Sequence, residues 1–471
     1  MAHSSAPITI DESGLPSTGH PNYPPGFRAR RGLNWGFIGL LYASFYLCRY
    51  NFAFANKALG DEYGYDKGKI GWIITIYFFL YAVGQITNGL MTDKIGGKRA
   101  MLFGAYGSVL LNIAFGAAGF LAASTVGIFG LFMTIRALDG YMQSMGAPGM
   151  IKMNTAWFHR KERGRFAGIF GFMINIGRFA INWLGPALLG GFLLLGVIRV
   201  PPQHWRMLFF IPAIVLAIIA TLMAIFVKET PEQAGFTRQD PDEPHDPADT
   251  TKIPLGTVIR TIVSNPAVWV CAFAYACTGA VRQGIDQWFP RYMQEVHNTD
   301  MKSAQFQILA FSIPLVATLG SLTSGYISDL GFNGRRAPVA AALYLIETII
   351  IIAATFFHSS TSAIVFFVLI AFTANSTHSI IGTAAAMDIG GRKMAGFASG
   401  CIDSFQYFGG MLAGFALGSI VEKHWGNYFW FMVPFGVIGA ALMFFGRNIV
   451  ERRTKHEAMP APVGFPVQSK N

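Results

Sequence analysis

The sequence predicts an all-α membrane protein of twelve transmembrane helices in two pseudo-symmetric six-helix halves. Three observations predict it. Of 471 residues, 52% are hydrophobic and only 13% charged, with a mean hydropathy of +0.42, a balance foreign to soluble domains. A window of about 19 residues finds about twelve long apolar segments. The second half of the chain then repeats, at nearly the same spacing, a polar motif and a buried cation of the first half.

In order, the segments span 33–57, 70–92, 98–121, 127–157, 165–194 and 205–228, then 266–293, 303–328, 337–357, 361–387, 394–421 and 425–447. A hydrocarbon core about 30 Å thick needs about twenty residues at 1.5 Å each, so the longer segments tilt or extend beyond it. The abundant glycines suit close approach of helices within a membrane. Residues 1–32 read as a disordered tail, polar and rich in Pro and Ser, without the apolar core of a signal peptide. The longest internal polar run, ETPEQAGFTRQDPDEPHDPADTTKIP, marks a linker over 229–262 between halves 33–228 and 263–450, and residues 451–471 form a second tail.

Lysine and arginine gather on alternate connections. Arg28, Arg30 and Arg31 precede the first span, Lys94, Lys98 and Arg99 follow the second, and Arg160, Lys161, Arg163 and Arg165 follow the fourth. Arg335, Arg336, Arg392 and Lys393 continue the pattern, and Arg447, Arg452, Arg453 and Lys455 end it. By the positive-inside rule both termini are cytoplasmic, in a multi-pass protein of a bacterial-type inner membrane. The net charge of +11 is therefore mostly topology and not a nucleic-acid surface, because the basic residues are dispersed over short loops. Cys48, Cys271, Cys277 and Cys401 all fall within predicted helices, which points to buried thiols instead of a disulfide framework.

After the second span comes GLMTDKIGGKR, and after the eighth comes GYISDLGFNGRR, with Asp93 and Asp329 equivalent. Arg49 precedes Asp93 by 44 residues and Arg282 precedes Asp329 by 47, so two arginines buried in apolar sequence share one register in the repeat. An arginine at the centre of a transmembrane helix costs roughly 2.5–3.5 kcal/mol even on the lenient insertion scale, so it marks a wet cavity or a partner. Two fixed cations call for an anion that comes and goes. Tyr42 and Tyr46 lie seven and three residues before Arg49, on its face, to hydrogen-bond the anion, to hold the guanidinium, or as plain aromatic packing. Asp286, four residues after Arg282, is placed for an intrahelical ion pair that an arriving anion displaces.

The loop motif GLMTDKIGGKR resembles that of the major facilitator superfamily, whose parallel repeats place a site at the midplane between the halves. In that reading Asp93 and Asp329 latch one conformation, against the plainer reading of a stop-transfer cluster. A narrower resemblance runs through SFYLCRYNFAFA, MQSMGAPGMIKMNTAWFHRKERGR, VKETPEQAGF, VRQGIDQWFPRYMQEV and KMAGFASGCIDSFQYFGG. These are similar to the organophosphate:phosphate antiporter family, which includes glycerol-3-phosphate and hexose-phosphate transporters. The resemblance implies that Arg49 and Arg282 bind the phosphoryl group, and guanidinium forks suit phosphate oxygens.

Departures from that pattern are specific. Gln85 stands where the resemblance leads one to expect a lysine, and Ile174 where it leads one to expect a histidine. Arg178, with Asn175 and Asn182 at helical spacing, offers a third cation that suits a more highly charged anion or pairs with an acid such as Asp403. Arg136 and Asp139 read as a coupling pair or a helix-internal salt bridge, and Glu347, Asp403 and His378 as proton carriers or satisfied polar contacts. No nucleotide loop, metal cluster or nucleophile with its base appears, so the reading is not an enzyme and needs no cofactor. The sequence therefore predicts a monomeric secondary carrier exchanging an organic phosphate of the sugar- or glycerol-phosphate class for inorganic phosphate. A proton-coupled carrier of a non-phosphorylated organic anion and a membrane sugar-phosphate sensor are the alternatives.

Overall fold

The computed structural model describes residues 23–158, 160–194, 198–236, 255–332 and 335–451. The first half comprises α1 (Phe27–Tyr63), α2 (Lys67–Ile95), α3 (Gly97–Ala118), α4 (Ile128–Gln143), α5 (Gly146–Trp157), α6 (Arg160–Gly190) and α7 (Met207–Phe226). A short α8 (Leu255–Val263) leads into the second half, made of α9 (Pro266–Val296), α10 (Ala304–Tyr326), α11 (Arg336–Ala354), α12 (Ser360–Ser379), α13 (Ala386–Lys423) and α14 (Asn427–Glu451). With α4 and α5 forming one interrupted span, these are twelve crossings. Eight of the described helices are long and apolar enough to cross a membrane by length and composition alone. The other crossings are α1, α4 with α5, α6 and α9. Those four carry Arg49, Arg136 with Asp139, Arg178, and Arg282 with Asp286, so each of these buried arginines lies on a crossing that the apolar rule misses.

Helix starts follow local chemistry. Asp66 caps α2 by accepting from the Lys69 N–H at 2.6 Å, and Asn265 caps α9 with Pro266 at the first position. Ser303 and Ser359 cap α10 and α12 in the same way. Several sequence-predicted boundaries are corrected. The first helix begins at Phe27, six residues before the predicted span, because Phe27 is anchored on Trp157 and Phe236 at centroid distances of 5.7 and 5.3 Å. The fourth span breaks at Ser144 and Met145. The fifth helix stops at Gly190; Gly191, at φ 77°, turns the chain into a hairpin in which Phe192–Leu194 pairs with Ile198–Val200. Segment 388–393, offered by the sequence as a loop, is helical; a π-helical turn at Ile380–Ala385 precedes its helix, and another at Ile327–Gly331 follows α10. Within the predicted linker, Glu232–Ala234 is a short helical turn and α8 begins at Leu255, while 237–254, like the tails 1–22 and 452–471, lies outside the described residues.

Among the described residues the two halves meet mainly on three helix pairs: α2 with α13, α1 with α9, and α6 with α10. α1 runs away from the termini and α2 returns, so Tyr63 and Lys67 mark the end of the bundle remote from both termini. At that remote end Lys67 pairs with Glu295 at 3.3 Å and Glu422 at 3.7 Å on the other half. Asn56 donates to the Gln287 carbonyl at 3.1 Å, Asn182 donates to the Ala310 carbonyl at 2.5 Å, and Trp72 stacks on Phe415 at 5.3 Å. Thr75 enters the backbone ladder of α13 itself. Its hydroxyl donates to the Met411 carbonyl at 2.9 Å and accepts the Phe415 N–H at 2.7 Å, two groups that a regular helix would bond to one another. These contacts shut the remote end and converge on the middle of the bundle.

Candidate functional site

Arg49 sits where α1 is buried on every side, with 1% of its surface exposed. Its Nη2 donates to the Tyr81 hydroxyl at 2.9 Å, its Nη1 to the Tyr407 hydroxyl at 3.4 Å, and its Nε to Gln143 Oε1 at 3.4 Å. The guanidinium also lies over the rings of Tyr46 and Tyr81, at 4.5 and 4.6 Å. All of these partners are neutral, and Tyr407 comes from the opposite half. Gln143 is itself oriented by the Tyr77 hydroxyl at 2.9 Å and by Ser108 and Asp139, so the cation is held in place without being neutralised.

Arg282 on α9 repeats the arrangement. Its Nη1 meets the His378 ring at 3.3 Å, and that ring is stacked on Tyr275 and bonded to the Tyr275 hydroxyl at 2.6 Å. Gln143 ends α4 and His378 lies in the last turn of α12, so in each half a polar side chain of the fourth crossing steadies an arginine of the first crossing. The ion pair expected between Arg282 and Asp286 is loose, with Nε 3.9 Å from Oδ2. Arg178, reaching from α6 in the other half, grips Asp286 instead. The intrahelical pair is therefore present but long, and Arg178 pairs with an acid on another helix as the sequence allowed, that acid being Asp286 and not Asp403. The cause is backbone proximity. A Cβ at Gly177 would stand 2.8 Å from Tyr46 Cβ, so only glycine lets α6 press on α1 and bring Arg178 within 5.7 Å of the Tyr50 ring. Tyr42, Tyr46 and Tyr50 run along α1 at successive centroid distances of 5.7 Å, and link the surroundings of Arg49 to those of Arg178, Asp286 and Arg282.

Gln85 donates its amide to Asp403 across the halves. Arg136 and Asp139 form a buried pair at 3.0 Å within α4, enclosed by Ser108, Asn112 and Gln143, as the sequence allowed. Glu347 is fully buried away from the arginines, and neither of its oxygens has a hydrogen-bond partner. The side chains of Asp93, Asp329 and Ile174 lie outside the described ones; the backbone places Asp93 near the end of α2 and Asp329 in the π-helical turn after α10. Cys48, Cys271 and Cys277 are buried free thiols, and Cys401 is a partly buried one. Tyr81, Gln143 and Tyr407 were missed in the sequence, although each lies four residues from a flagged position: Gln85, Asp139 and Asp403 respectively.

Comparison with known proteins adds to this geometry. A family model described as Major Facilitator Superfamily matches residues 38–414. The chain is 29% identical over 422 residues to a probable hexose phosphate transport protein of Chlamydia muridarum (strain MoPn / Nigg), covering 86% of this chain and 88% of that one. It is 28% identical over 400 residues to a hexose-6-phosphate:phosphate antiporter of Salmonella typhimurium, covering 82% and 81%. The fold matches the crystal structure of a bacterial homologue of the human lysosomal transporter Spinster, inward-facing and unoccupied, with a TM-score of 0.69 at 16% identity, over 92% of this chain and 99% of that one.

Proposed function

We propose that this chain, which belongs to the Major Facilitator Superfamily, exchanges an organic phosphate for inorganic phosphate across a membrane by rocking of its two halves. Its place as a multi-pass membrane transporter follows from the family and from its apolar helices. The cargo and the mode of coupling are our inference. One observation carries it: Arg49 and Arg282 occupy matching positions in the repeat, each steadied mainly by neutral groups from its own half. Such cations keep their charge for a ligand. Arg282 Nε and Arg178 Nη1 are buried without a hydrogen-bond acceptor from the protein, so donors at the centre remain available to a ligand. The phosphate-linked cargo in the names of both relatives agrees with this chemistry.

Exchange follows from the cost of the empty site. Three arginines at the centre repel one another, and the carboxylates of Asp286 and Asp403 offset only part of that charge. A bound anion removes the remaining repulsion and permits the halves to rock. The remote end, closed by Lys67 with Glu295 and Glu422, then opens while the terminal end closes, with both termini cytoplasmic in a bacterial-type inner membrane and the protein a monomer. In proteoliposomes, uptake of labelled phosphate is expected to require phosphate inside. Robust accumulation into phosphate-free vesicles driven by an inward proton gradient would overturn exchange in favour of a proton-coupled organic-anion carrier. Tight phosphate binding without flux would favour a sensor.

A further inference from the structure

The centre of the molecule holds unmet acceptors as well as unmet donors. Asp403 on α13 is partly exposed, accepts from the Gln85 amide, and has no lysine, arginine or histidine at ion-pair distance among the described residues. Asp403 and Gln85 lie one helical turn from Tyr407 and Tyr81, the two hydroxyls that receive the Arg49 guanidinium, so this pair sits beside the proposed phosphate position. A carboxylate can only accept, so the Gln85 nitrogen must face it and the amide oxygen must turn away. That oxygen, Gln85 Oε1, is buried without any donor, on a side chain only 5% exposed. A carboxylate beside an orphan carbonyl oxygen is a receptor for a cation with several N–H groups, since an ammonium supplies three donors.

The charge balance points the same way. Arg49, Arg178 and Arg282 face Asp286 and Asp403 at this centre, which leaves one positive charge in surplus. The Arg136–Asp139 pair neutralises itself. A phosphate monoester is close to a dianion at neutral pH, its second pKa being about 6. A simple organic phosphate would therefore overshoot the surplus, whereas a phosphate ester that also carries an ammonium group matches it.

We propose that the transported organic phosphate is an amino-bearing one, its ammonium group received by the Asp403 carboxylate and Gln85 Oε1 while the arginines hold the phosphoryl group. This rests on the phosphate-exchange reading above and deepens it. The full-length protein in phosphate-loaded proteoliposomes takes up labelled phosphate, and two competitors differing only at the far group, 2-aminoethyl phosphate and 2-hydroxyethyl phosphate, are titrated against that uptake. The amino compound should compete about tenfold or more better, the effect of one charged hydrogen bond. In Asp403→Asn the ratio of the two half-inhibitory concentrations should fall close to one, whatever exchange rate remains, and in Asp403→Glu it should stay above one. Equal competition in the unmodified protein, which needs no variant to fold, overturns the amino-phosphate proposal and leaves phosphate exchange standing. A preference that persists in Asp403→Asn overturns the role of Asp403. Absence of any phosphate exchange in the unmodified protein overturns the underlying reading and this proposal with it.

Discussion

Arg49→Lys and Arg282→Lys should each lower phosphate exchange by about a hundredfold or more at normal membrane expression, the loss of two charge-assisted hydrogen bonds worth roughly 1.5–3 kcal/mol each. Lysine keeps the charge but not the fork. Arg49 spreads its donors over Tyr81, Tyr407 and Gln143 in three directions, an arrangement that a single ammonium cannot span. Arg282 offers Nη1 to His378 and keeps Nε unbonded, so the atom a lysine lacks is among those left for the anion. Initial rates in proteoliposomes check the effect. Full activity in either variant would show that diffuse positive potential suffices and that the geometry is irrelevant.

The second large effect is steric and lies far from the charges. Gly71→Val and Gly414→Val should each reduce exchange more than tenfold, because the remote end can no longer close. A Cβ at Gly414 would stand 2.6 Å from the Gly71 carbonyl oxygen and 2.7 Å from the Thr75 nitrogen, and one at Gly71 would stand 2.9 Å from the Gly414 carbonyl carbon. Those are backbone atoms, so no rotamer relieves the clash, and the helices must part. Parting would also pull Thr75 out of the α13 ladder, where it bridges Met411 and Phe415. The same rate assay, with size-exclusion elution as a check on folding, tests this. Unimpaired exchange in both valine variants would mean that α2 and α13 need not meet during transport.

Much of this architecture was legible because hydrophobic length, charge asymmetry and an internal repeat are all one-dimensional signals. The register that joined Arg49 to Arg282 is a sequence property, and the structure sets both arginines in equivalent surroundings, Gln143 for one and His378 for the other. Pairing between helices was not legible in the same way. Arg178 takes Asp286 and leaves Asp403 to Gln85, and that choice follows from how closely α6 and α13 approach their neighbours, which depends on individual glycines such as Gly177. Helix ends were misplaced where tertiary contacts override the apolar pattern, as at Phe27, or where apolar residues serve a strand, as in Phe192–Leu194. The partners of Arg49 were within reach of spacing arguments: Gln143 lies one turn after Asp139 and Tyr407 one turn after Asp403.

The central claim is that Arg49 and Arg282 hold one and the same anion, and a structure of the full-length protein determined with inorganic phosphate bound tests it most directly. The account predicts tetrahedral density at the interface between the halves, within hydrogen-bond distance of both guanidinium groups, with Arg282 drawn away from Asp286. Density on one arginine alone, or phosphate bound elsewhere while Arg49 keeps its tyrosine contacts and Arg282 closes onto Asp286, would contradict it.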